Sequence, residues 1–187
     1  MKAYVETSLL LAMAKEASSF DELYTVELVV SDLVIAEVHN LEEPWRQWVA
    51  QFLNEREVAC LRVEEEDLEF ARKYIYNKVL STEEYPLGVH YFMACTRGAD
   101  RCYTCDVMLE QLKEGMDRIN GHFGKPTVSI SVIPCEDYPR QDLLKVRAMV
   151  GRLCESQGEV RLLSAIRESV DFFQREKGIR LRRVPKV

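Results

Sequence analysis

Three carboxylates carry the most chemical promise in this sequence. Glu6 closes the short apolar run "AYVE", Glu37 stands in "VVSDLVIAEV", and Asp106 ends "RCYTCD". A charge near the start of hydrophobic core is costly unless it is paired or holds a cation. Gathered at one mouth, three such acids would repel one another and their pKa values would rise unless a cation neutralised them. A hard, oxygen-loving ion such as Mg²⁺ or Mn²⁺ suits an all-carboxylate site. Plainer roles stand beside this one. Glu6 could hydrogen-bond Thr7, Thr104 or helix amides, Glu37 could be a solvated helix residue, and Asp106 a helix cap.

The elements that would position these acids alternate between strand and helix, which predicts an α/β domain with a mainly parallel sheet of four to five strands. "AYVET", "ELVVSD", "VACLRV", "ADRCYTCD" and "TVSISVIPCEDY" read as the strands, with helical patterns between them. Thr7 or Ser8 is placed to cap the first helix, and Pro44 should begin a new helix rather than continue the old one. In parallel α/β sheets, ligands bind beyond the carboxyl ends of the strands, near the point where strand order reverses. Glu6 and Asp106 fall at such ends, and Glu37 about one turn into the helix after one.

Residues 1–138 form this domain, and residues 139–187 read differently. Leu143, Val146, Val150 and Leu153 share one helical face, as do Val160, Leu163, Ile166, Val170 and Phe173. "SQG" between them makes an antiparallel helical hairpin, expected to cover the domain or to mediate dimerisation. The hairpin ends in the basic tail "IRLRRVPKV". The net charge of −6 is divided unevenly, with −12 over residues 1–138 and +6 over 139–187. The basic end either docks on the acidic body or is solvated, or it offers Arg180, Arg182 and Arg183 to an RNA backbone.

With 47% hydrophobic and 30% charged residues the composition is that of a globular protein able to bury a core. No apolar run approaches the roughly 18 residues a membrane span needs. The amino terminus lacks a basic flank followed by a long apolar segment, so no signal peptide is expected and the expectation is a cytoplasmic protein without a membrane partner. The six cysteines read as small buried hydrophobes of a reducing compartment. Cys102 and Cys105 form a C-x-x-C, but on a strand, where positions three apart face opposite sides, which argues against zinc or redox work.

Taken in order, "YVETSLLL", "VVSDLVIAEV", "LGVHYFMACTRGADRCYTCD" and "ISVIPCEDY" resemble the successive motifs of PIN domains, specifically the VapC-like toxins. The resemblance spans roughly residues 1–138. Glu6 followed by Thr7 matches the strand-ending acid, usually Asp, of the first motif. Ser31 and Glu37 match the second motif, and Thr104 with Asp106 the T-x-D of the fourth. The third motif departs from the pattern: an Asp is expected three residues before His90, and that position is Leu87. Glu83 and Glu84 are shifted by three or four residues, and His90 is left to a packing role.

The resemblance implies a three-layer α/β/α sandwich and a metal-dependent endoribonuclease. Glu6 and Asp106 would be the principal Mg²⁺ or Mn²⁺ ligands, and Glu37 a further ligand or the residue that orients a metal-bound water. Thr7, Ser31 and Thr104 would support them by hydrogen bonds. RNA, an antitoxin protein and a second copy of the chain are the partners this implies. The competing expectation, carried by Leu87, is a catalytically degenerate PIN-like domain that binds protein or RNA. A phosphotransfer or phosphatase domain would need a second acid beside a nucleophilic Asp, which "YVETS" does not offer.

Overall fold

The computed structural model describes residues 1–185; Lys186 and Val187, the end of the basic tail, lie outside the described residues. Among the described residues six parallel strands form one sheet: β1 (Lys2–Val5), β2 (Glu27–Ser31), β3 (Val58–Leu61), β4 (Arg101–Thr104), β5 (Ser129–Val132) and β6 (Arg182–Arg183). Their order is β5-β4-β1-β2-β3-β6. From β1 the chain proceeds to β2 and β3 on one side, then returns to build β4 and β5 on the other. Strand order therefore reverses between β1 and β4, which pair Tyr4 against Cys102 and Val5 against Tyr103. That pair delivers Glu6 and Asp106.

Among the described residues, eight α-helices connect and flank the strands: α1 (Thr7–Lys15), α2 (Asp32–His39), α3 (Trp45–Glu55), α4 (Glu65–Tyr76), α5 (Tyr85–Thr96), α6 (Val107–His122), α7 (Arg140–Gln157) and α8 (Glu159–Lys177). The first three contact one another, as do α4, α5 and α6, an arrangement compatible with helices layered on both faces of the sheet. The central strands are buried over most of their length, with Ala3, Tyr4 and Val5 at 1% exposure or less. Their near-continuous apolar character follows from cover on both sides. Pro44 stands at the N-cap of α3, as expected, and a 3₁₀ segment, Ala17–Thr25, follows α1.

Helices α7 and α8 do form a helical hairpin, and it lies on the domain. Helix α7 packs on α5 and on the 3₁₀ turn Thr82–Glu84, while α8 packs on α2 and α4. The anticipated faces are buried at Leu143, Val146, Val150, Leu163, Ile166, Val170 and Phe173. Val160 differs: it is 66% exposed, and Leu162 turns inward instead. The hairpin is also tied to the acidic body by ion pairs, among them Arg72–Glu159, Arg46–Glu176 and Lys177–Glu43. Where Lys177 and Arg183 meet Glu43 and Asp32, the basic end docks on the acidic body, the first of the alternatives open in the sequence.

The tail after α8 adds a sixth strand that the sequence pattern did not suggest. Ala59 and Cys60 of β3 pair with Arg182 and Arg183. An edge strand of two residues is too short to carry a periodic signal, and its side chains are basic. Besides its pairing with β3 it is tied to the body by an ion pair, Arg183 Nη1 to the buried carboxylate of Asp32 at 2.5 Å.

Candidate functional site: a carboxylate triad closed by Arg147

The local chain explains how each acid is held. Glu6 has extended backbone at the end of β1 and is itself the N-cap of α1, its Oε2 accepting the Ser8 amide at 2.9 Å. This cap displaces the Thr7 or Ser8 cap suggested by residue type. Glu6 Oε1 accepts from the Ser8 and Thr104 hydroxyls, each at 2.6 Å. Asp106 caps α6, its Oδ1 accepting from the Met108 amide at 2.9 Å. Its own amide donates to Thr104 Oγ1 at 2.9 Å. Ser31 caps α2, whose second turn carries Glu37 inward. The cap roles foreseen for Glu6 and Asp106 are real; Asp106 keeps Oδ2 for another partner, whereas on Glu6 the capping Oε2 is itself shared with one.

Glu6 Oε2, Asp106 Oδ2 and one oxygen of Glu37 meet a single guanidinium. Arg147, in the middle of α7, donates from Nη2 to Glu6 Oε2 in a short contact. It donates from Nε to Glu37 Oε2 at 3.2 Å and from Nη1 to Asp106 Oδ2 at 3.3 Å. Every nitrogen of the fork has its own acid. Glu6 and Glu37 are fully buried, Asp106 is 6% exposed and Arg147 2%. The three sequence-predicted acids are brought together, from two neighbouring strand ends and one helix, and the positive charge among them belongs to the chain itself.

Glu37 is the most heavily engaged. Its Oε1 accepts from Thr7 Oγ1 at 2.6 Å and from His90 Nε2 at 2.6 Å. His90 Nδ1 lies 2.7 Å from the Tyr4 hydroxyl, which lies 2.8 Å from Ser31 Oγ. A relay Ser31–Tyr4–His90–Glu37 therefore links the second supporting hydroxyl to the triad through two rings. Ser31 reaches Glu37 only through Tyr4 and His90, whereas Thr7 and Thr104 touch the acids directly. His90 is a fully satisfied buried histidine, but part of the site.

Burial alone would raise the Glu37 carboxyl, yet His90 and Arg147 outweigh it and hold the group down at about 2. The Glu6 carboxyl is likewise pushed up by burial and brought below its ordinary value by Arg147 and His90. For Arg147 burial works against the charge, and the three acids more than compensate, keeping it protonated. One guanidinium against three carboxylates leaves negative charge in excess.

Among the described residues, no three His, Cys, Asp or Glu side chains are arranged to hold a metal ion; the guanidinium stands among the acids. Leu87 is 3% exposed and, with Asp106 and Arg147, lines a cleft of about 460 Å³ between α5, α6 and α7. Glu83 and Glu84 line the same cleft without an ion pair to Arg147. The tail arginines lie elsewhere: Arg183 binds Asp32, Arg182 stands 3.7 Å from Glu57, and Arg180 is exposed. Cys102 is buried, and burial pushes its thiol up; Cys105 turns instead toward Cys135. All six cysteines are free.

Arg147 is the residue that sequence reasoning missed. Its signal lay in the helical stripe, since 147 falls between 143, 146 and 150 on the apolar face. A charge inside an apolar stripe asks for a buried partner. Compared with known proteins, the chain matches no family model, no curated protein and no solved structure. Among the described residues no helix is long and apolar enough to cross a membrane.

Proposed function

We propose that this chain is a divergent PIN-type domain of the VapC-like kind, built as a metal-dependent endoribonuclease, with its carboxylate site closed by Arg147 in the present conformation. The observation that carries the reading is the convergence of Glu6, Glu37 and Asp106 on one point beside the β1/β4 reversal. A buried ion cluster is a poor route to stability, because desolvation offsets most of the Coulomb gain. Four charges gathered at a ligand-binding edge therefore favour a functional origin over a structural one.

The donor set fits Mg²⁺ or Mn²⁺ in kind: three carboxylates supply hard oxygens, and a cationic group already stands among them. Glu6 and Asp106 would be the principal ligands and Glu37 the third. A bound divalent ion would supply an activated water and charge stabilisation at a phosphodiester. The chain's own part is to hold Glu6 and Glu37 ionised and all three acids aimed. Thr104 and Ser8 fix the Glu6 carboxylate, while Thr7 and His90 fix that of Glu37. RNA is the substrate class of this reading, and an antitoxin and a homodimer are its further partners, in the cytoplasm. The three-layer sandwich is the fold it implies.

A second reading, a degenerate PIN-like module that binds protein or RNA without cutting it, is favoured by Leu87 in the place of an acid and by Arg147 itself. One assay separates the two. A mixed RNA pool is incubated with Arg147→Met and with Arg147→Met/Asp106→Asn, each in Mn²⁺ and in EDTA. Cleavage by the first protein alone, and only in Mn²⁺, is the expected result. No cleavage by folded Arg147→Met in either condition would assign the chain to the degenerate class.

A further inference from the structure

We infer that helix α7 is a built-in inhibitor of the carboxylate site: the Arg147 guanidinium takes the place of a divalent cation, so a docked α7 and a bound cation exclude one another. The inference rests on the metal-site reading of the triad. It differs from that reading in naming what regulates the site, a segment of the same chain, and how, by competition for the same three oxygens.

The donor inventory carries the argument. Arg147 spends Nε, Nη1 and Nη2 on Glu37, Asp106 and Glu6 in turn. All three acids come from the α/β body, and the cation comes from the appended hairpin. Each oxygen that meets Arg147 is the one its own structural hydrogen bonds leave available on Glu37 and Asp106; on Glu6 it is shared with the Ser8 amide. The guanidinium thus fills the vertex toward which the three side chains are aimed.

Docking of α7 does not depend on that charge alone. Leu143, Val146, Val150 and Cys154 bury one face of the helix, so the hairpin delivers Arg147 as a consequence of ordinary apolar packing. The closure is still not sealed. Asp106 and Arg147 line the cleft beside Leu87, Leu144 and Lys145, and Leu144 is 42% exposed. A single positive charge also leaves the triad under-neutralised, where a divalent ion would supply twice the charge. A ligand that binds only the open form has its affinity reduced by the fraction open, and removing the competitor restores it.

The experiment is calorimetric titration of Mn²⁺ into the full chain, wild type, Arg147→Lys and Arg147→Met, with thermal unfolding followed in parallel. The expected result is Mn²⁺ affinity at least tenfold tighter for Arg147→Met than for wild type, with Arg147→Lys between them. Arg147→Met should also melt lower than wild type without metal and recover with Mn²⁺. Equal affinities in all three proteins, or no binding by any of them, would overturn the inference. Should Arg147→Met fold only when Mn²⁺ is added, far-ultraviolet circular dichroism reads the same competition. Should it not fold at all, Arg147→Lys decides, and an affinity equal to wild type sinks the lock. Tight Mn²⁺ binding by Arg147→Met without RNA cleavage would leave the lock standing and remove the nuclease reading.

Discussion

Gly151 of α7 lies directly against the backbone of Thr82, so close that a Cβ on Gly151 would come within 1.9 Å of the Thr82 carbonyl oxygen. The neighbour is backbone and cannot swing aside. This approach sets the height of α7 over the α5 entrance and, one turn earlier, the reach of Arg147 into the triad. Gly151→Ala is expected to lift the helix and destabilise the protein by about 1–3 kcal/mol, the range for overpacking. Hydrogen exchange across 140–157 should accelerate while that of β1 and β4 does not. Unchanged exchange in α7 would show that the contact does not seat the helix.

The acid cluster dictates how stability responds to pH. Glu37 is held at about 2, against an ordinary 4.5, and Glu6 is also depressed. A carboxyl whose folded value is depressed gives its full stabilisation above the unfolded value and loses it as pH falls through the folded one. Stability should therefore be level near neutrality and decline between about pH 4.5 and pH 2, by on the order of 3 kcal/mol from Glu37. Urea midpoints measured across that window check it. Glu37→Gln should flatten the slope, and an unaltered slope would assign the acid transition to other groups.

Asp32 is buried beside Cys60, and its carboxylate is held by Arg183. Arg183→Met strands that charge. Because the arginine side chain is 29% exposed, solvent relieves part of the cost, which is about 1–3 kcal/mol for a buried acceptor losing its partner. The loss should appear with faster carboxypeptidase trimming of the tail after Gly178. A variant trimmed no faster than wild type would mean that β6 is held by its strand pairing alone.

Leu87 stands where the family resemblance expects an acid, and it lines the same cleft as Asp106 and Arg147. In the Arg147→Met background, Leu87→Asp brings a fourth carboxylate to the cleft. Mn²⁺ affinity should tighten about tenfold, equal to roughly 1.4 kcal/mol. If calorimetry shows no gain, position 87 points away from the cation vertex, and its leucine is no obstacle to metal binding.

The sequence by itself determined the alternation of strand and helix, the hairpin with its two apolar faces, and the choice of Glu6, Glu37 and Asp106. Those features are local: periodicity follows from burial on one face, and an acid after an apolar strand stands out against its immediate neighbours. Tertiary structure alone decided that the three acids share one partner. Arg147 is 141 residues from Glu6 along the chain, and no spacing rule reaches that far. It decided that Asp106 caps α6 and meets Arg147 at once, through separate oxygens, while Glu6 does both through one. It decided the sixth strand too, through Arg183 and Asp32, 151 residues apart. The sequence shows where charge is costly; only the folded chain shows which charge offsets it, because burial lets oppositely charged groups distant in sequence compensate one another across space.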